Sequence, residues 1–235
     1  MALGRNYRGK SNLRQAQRRN KAVGANISRR RPGRAGRSQV GHFTAREPFA
    51  PPEDWHEPTG RAGYEIVVQA PGEGYRHVLT PDDIRARLAM LPEPFIMPLE
   101  VVQLSRITRK KLTFPCYGMQ WGNALYLYPV EESLVEQFSV PPRPAVVNEA
   151  LMYGGKWDHP EADLWTLTWT EEAIRDFYLN NILIHEVGHL LDERNSSYVA
   201  RERYAEWFAI EYGYRTTGGG QTRRPNRPVS RRHDR

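Results

Sequence analysis

The stretch ILIHEVGHLLDERNSSYVARERYAEWFAIEYG, Ile182 to Gly213, decides the architecture of this chain of 235 residues. Upstream of it, Thr170 reads as a helix N-cap, and Glu171 and Glu172 follow where negative charge suits the positive end of a helix. Ile174, Phe177, Ile182, Leu183, Leu190 and Leu191 then recur at roughly helical spacing, with only Gly188, a modest cost in a helix interior, before Asp192. DERNSS, Asp192 to Ser197, has the composition of a turn. Ser197 can cap a second helix from about Tyr198 to Tyr212, ended by Gly213. Helices joined by so short a turn fold back on each other as an antiparallel hairpin.

HEVGH places His185 and His189 four residues apart, so on a helix the two imidazoles stand one turn above the other on one face and can reach a single zinc ion. Glu186 projects beside them, where a carboxylate can act as general base towards water and later return the proton to a leaving amine. A catalytic zinc takes three protein ligands, and the second helix offers the third. An antiparallel hairpin turning between Asn195 and Ser196 pairs His189 with Glu202 and His185 with Glu206. Glu202 is assigned to the metal and Glu206 to the free N–H of a ligating histidine. Ion pairing of both glutamates with Arg201, Arg203 or Arg194 is the plainer reading. Asp192 shares the helical stripe of 185 and 189, but helical rise sets it about 10 Å from His185 along the axis; its plainer role is closing the turn with Arg194 or Asn195.

HEVGHLLDER followed by ERYAEWFAIEYG resembles the gluzincin type of HExxH zinc metallopeptidase, and the second half is similar to the ExxAxxFA pattern of ImmA/IrrE-like peptidases, read here at Glu202, Ala205, Phe208 and Ala209. The resemblance covers about residues 170 to 213. It implies a zincin fold, zinc on His185, His189 and Glu202, Glu186 as base, and hydrolysis of a peptide or protein substrate. In such peptidases an edge strand near the active helix aligns the substrate backbone, which points here to Ala124–Tyr128 or Leu164–Trp169. An oxyanion stabiliser is expected among Tyr178, Tyr198, Tyr204 and Tyr212, each of which is equally a plain core aromatic.

Outward from the hairpin, YEIVVQ (64–69), VVQLSRI (101–107), ALYLY (124–128, after the turn Gly122-Asn123) and LWTLTW (164–169) have strand character, and Thr80-Pro81-Asp82-Asp83 starts a helix that stops before Pro92. The expected fold is α+β: a small mixed sheet packed on the active helix and its antiparallel neighbour, over residues 64–214. Residues 46–63 are Pro-rich and read as a linker or a wrapped segment.

Charge is divided sharply along the chain. Residues 1–40 hold twelve Lys or Arg and no acid, and residues 215–235 hold seven Arg against Asp234, so the ends carry about +18 and the middle about −11. Segments 1–45 and 215–235 are therefore expected to be disordered in isolation. They either keep an acidic domain soluble or bind nucleic acid without sequence preference; in the second case binding falls steeply with salt. Cys116 has no second cysteine to bridge to, and TFPCYG suits buried packing. Neither a secretory signal nor a membrane span is visible, which makes cytoplasmic residence the default and excludes a membrane partner. The rival function is a non-catalytic zinc-binding structural or nucleoprotein-assembly protein, whose metal would be closed by a fourth ligand such as Asp192 or His159.

Overall fold

The computed structural model describes residues 52–108, 111 and 116–217. Residues 1–45 and 218–235 of the basic ends, with the disorder and nucleic-acid contacts expected of them, lie outside these residues, while Arg215, Thr216 and Thr217 are hydrogen-bonded to Glu211, Tyr212 and Gly213. In chain order the elements are β1 (Glu65–Val68), β2 (Tyr75–Arg76), α1 (Pro81–Leu88), α2 (Glu93–Ile96), β3 (Val101–Leu104), β4 (Gly118–Trp121), β5 (Ala124–Leu127), β6 (Val130–Glu131) and β7 (Val135–Phe138). Then come α3 (Pro144–Met152), β8 (Lys156–Glu161), β9 (Leu164–Thr168), α4 (Glu171–Phe177), α5 (Leu183–Leu191) and α6 (Tyr198–Ala209). No helix is long and apolar enough to cross a membrane among the described residues.

The architecture is α+β. β1, β3 and β5 run parallel, and β4 pairs antiparallel with β5 at the edge, in the order β1-β3-β5-β4. A three-stranded antiparallel sheet, β7-β9-β8, and the short pair β2-β6 complete the strands. Alternation along β3 and β5 sends Val102, Leu104, Leu125 and Leu127 into the main core with Leu183, Ile184, Val187 and Phe208 of the helices. Val101, Ala124 and Tyr126 face the other way into a smaller cluster with Met119 and Tyr128.

That outer face is covered by the described part of the Pro-rich segment, which wraps rather than links. The His56 ring stacks on Tyr126, the His56 backbone N–H donates to the Tyr126 hydroxyl at 2.9 Å, and the ring Nε2 lies 2.8 Å from Gln103 Oε1. Farther on, Thr59 N–H, Thr59 Oγ1 and Gly60 N–H all donate to the Glu100 carboxylate, which also accepts from Asn123 Nδ2.

Local signals start each helix where expected. Thr80 and Asp83 form a reciprocal capping box before α1, Thr170 accepts from Ala173 N–H before α4, and Ser197 accepts from Ala200 N–H before α6. The long helix from Thr170 departs from expectation in one respect: a π-helical turn at Tyr178–Ile182 separates α4 from α5, and a second at Ile210–Tyr214 follows α6. The two turns meet where Gly213 lies against the backbone of Asn180, so close that any Cβ at 213 would collide with the Asn180 carbonyl. Arg87 fastens the pair, donating from Nε to Asn180 Oδ1 at 2.6 Å and from Nη2 to the Tyr212 carbonyl. Gly188 is explained by the hairpin itself. A Cβ there would come within 2.9 Å of Ala205 Cα, so the missing side chain is what lets α5 and α6 approach.

Candidate metal centre

His185 and His189 project from the same face of α5, ring centroids 4.7 Å apart and planes at 79°. Glu202, on the first turn and a half of α6, reaches both: its Oε1 is 3.2 Å from His189 Nε2 and its Oε2 is 3.6 Å from His185 Nε2. One ligand atom from each of the three residues lies within 4.8 Å of the others, and all three side chains are partly buried. Tetrahedral donors held about 2.0–2.1 Å from one ion stand roughly 3.3 Å from each other. The two imidazoles and the carboxylate therefore fit a metal ion by spacing as well as by donor type. Burial alone would raise the Glu202 carboxyl, but its hydrogen bonds and charge interactions with both histidines outweigh that and hold it well below the usual carboxylate range.

Glu186 points from the same helix towards the sheet rather than towards solvent. It is 7% exposed, and burial pushes its carboxyl up to about 7, against the pull of His185, Lys111 and the Gln120 backbone N–H; the Glu202 charge pushes it further up. The wall above it is β4. A Cβ at Gly118 would fall 2.7 Å from Glu186 Oε1 and 2.7 Å from Ile182 Cγ2, so any larger residue would displace the Glu186 carboxyl from its place beneath the strand.

Glu206, expected to hold a histidine N–H, is exposed and makes no contact with His185 or His189 among the described residues; both histidines face Glu202 instead. The helical geometry explains this. Ala205, Phe208 and Ala209 form the buried stripe of α6, Glu202 stands at its margin, and Glu206 lies about 40° further round. Asp192 takes its plainer role: it ends α5 and accepts from Asn195 N–H and Nδ2 at 3.1 and 2.9 Å. His159 stacks on Trp165 in the β8–β9 hairpin. Cys116 is partly buried, and Lys111 Nζ lies 2.8 Å from its Sγ.

The strands proposed for aligning a substrate are corrected. β5 and β9 are interior strands of their sheets, flanked on both sides, whereas among the described residues β4 is the edge beside α5. Sequence did carry a signal for β4: Gly122-Asn123 is a two-residue turn, with Gly122 at φ +58°, and such a turn before ALYLY demands a strand on its other side. Of the tyrosines, Tyr178 donates its buried hydroxyl to the Tyr128 carbonyl at 2.8 Å, and Tyr204 and Tyr212 pack against Trp207 and Phe208.

Compared with protein-family models, with curated proteins and with solved structures, the chain has no match in any of the three.

Proposed function

We propose that the chain is a zinc-dependent metallopeptidase of the zincin kind. The observation that carries this reading is the convergence of His185, His189 and Glu202 beside the buried carboxyl of Glu186, under the edge strand of a mixed sheet. Zinc held by the triad would supply Lewis acidity, polarising a peptide carbonyl and making a water more acidic. Glu186 takes the proton of the attacking water and returns it to the leaving amine. Among the described residues β4 pairs with β5 on one side only, and an extended peptide adds to its other side as an antiparallel strand, which lays the scissile bond along α5.

A metal kept only for stability is normally closed by four protein ligands. Among the described residues three converge, while Asp192 and His159 are engaged elsewhere; this favours turnover over a structural role. The test is bound zinc and cleavage of casein or a peptide library by the wild type and Glu186→Gln, side by side. Zinc in both proteins with cleavage lost at least a thousandfold only in the variant supports the reading. Zinc in both with no cleavage by the wild type would favour the structural alternative, and a wild type purified without zinc would remove the metal itself.

A further inference from the structure

β4 and the α5–α6 hairpin are joined differently at the two ends of the strand. At Gly118 the strand rests directly on the end of the π-helical turn and the start of α5, against Ile182 and Glu186. Two residues on, Arg201 takes over. Its Nη2 donates to the carbonyl of His189 at 3.1 Å and to Gln120 Oε1 at 3.3 Å. Gln120 in turn donates its side-chain Nε2 to the Gly122 carbonyl at 2.6 Å. One guanidinium, next in sequence to Glu202, thus touches the backbone of His189 on α5 and a side chain of β4.

A helix-capping role accounts for only half of these contacts. The His189 carbonyl belongs to the last turn of α5, where it also accepts weakly from Asp192 N–H at 3.4 Å, and a cation there suits the negative end of the helix. The bond to Gln120 does nothing for the helix. Among the described residues no carboxylate pairs with Arg201, so its placement is set by these two neutral acceptors, one on α5 and one on β4. We infer that Arg201 is a positioning residue: through Gln120 it holds the far end of β4 at a fixed distance from the metal triad and so sets the width of the groove that receives a peptide. This rests on the peptidase reading for its purpose, but the contact itself does not.

Hydrogen exchange at residues 118–121 of the full chain, read by mass spectrometry with zinc added, tests the inference without any activity. Arg201→Gln and Gln120→Ala should each speed exchange there about tenfold, the double variant should add little to either, and Arg201→Lys, which keeps a donor able to serve both acceptors, should return part of the protection. Bound zinc should stay at the wild-type level in all four. Should the wild type cleave a peptide library, Arg201→Gln should raise KM about tenfold with a smaller effect on kcat, because a displaced strand weakens alignment before it touches the chemistry. Unchanged exchange in the strand, or faster exchange confined to residues 189–192, would reduce Arg201 to a helix cap and overturn the inference. So would loss of zinc in Arg201→Gln. A wild type that binds zinc and cleaves nothing would count against the peptidase reading alone, since the exchange result would stand.

Discussion

Glu100 and Glu136 are both 7% exposed, yet the protein treats them in opposite ways. Glu100 starts β3 under the wrapped segment; burial would raise its carboxyl, but four donated hydrogen bonds from Thr59, Gly60 and Asn123 hold it at about 2. Glu136, on β7, is enclosed by aromatic rings and accepts from Tyr117 Oη and Trp169 Nε1; burial prevails there and pushes its carboxyl up to about 7. The lesson is that exposure alone does not decide charge. Backbone N–H groups of a loop can be aimed at both carboxylate oxygens, whereas ring-borne donors bring apolar bulk with them. The candidate metal site repeats the contrast at close range, with Glu202 pulled down by its histidines and Glu186 pushed up beneath β4.

The largest effect expected from this contrast is that of Glu136→Ala, which would leave the Tyr117 hydroxyl and Trp169 N–H buried without an acceptor beside a new cavity. Urea unfolding at pH 5 should show a loss of about 3–4 kcal/mol. Glu100→Gln should cost less, about 2–3 kcal/mol at pH 7, because the amide cannot accept all four bonds but the loop donors lie near water. Its pH dependence gives the sharper check. The contribution of Glu100 is complete above about pH 4.5 and is lost as pH falls towards 2, since its folded carboxyl lies below the ordinary value of 4.5; the variant should lack that acid limb.

Glu136→Gln should have the smallest effect and the opposite sign. A folded carboxyl near 7 burdens the native state fully above pH 7, and the burden is relieved as pH falls from about 7 to 4.5. The neutral amide should therefore be about 1–2 kcal/mol more stable than wild type at pH 8 and no more stable at pH 5. Equal pH profiles for the two proteins would show that Glu136 is ionised at no cost and break the comparison.

Much of the site was legible because its chemistry is local. The spacing of His185 and His189, the caps at Thr170 and Ser197 and the shortness of the turn suffice to bring Glu202 to the histidines. Glu206 was misplaced because simple hairpin pairing ignores how far round the helix a residue sits once Ala205 and Phe208 are buried. β4 escaped because GMQW has no apolar run, and its partner β5 is identified by burial on both faces rather than by alternation. Arg201 read as one more surface cation, since its two partners are a carbonyl and an amide far away in sequence. The wrapping of Pro52 to Gly63 depends on acceptors, Glu100 above all, that no local pattern announces.

The π-helical turn at Tyr178–Ile182 gives this helix a phase as well as a direction. Each residue advances a helix by about 100°, so the one extra residue held in such a turn rotates the apolar stripe of α4, with Ile174 and Phe177 in the core, relative to His185 and His189 downstream. Removing a single residue between 178 and 182 would leave a longer, more regular helix whose two halves no longer agree on which side is inward: either the core keeps Phe177 or the imidazoles keep Glu202. The chain length across those five positions is therefore constrained in its own right, apart from the side chains they carry.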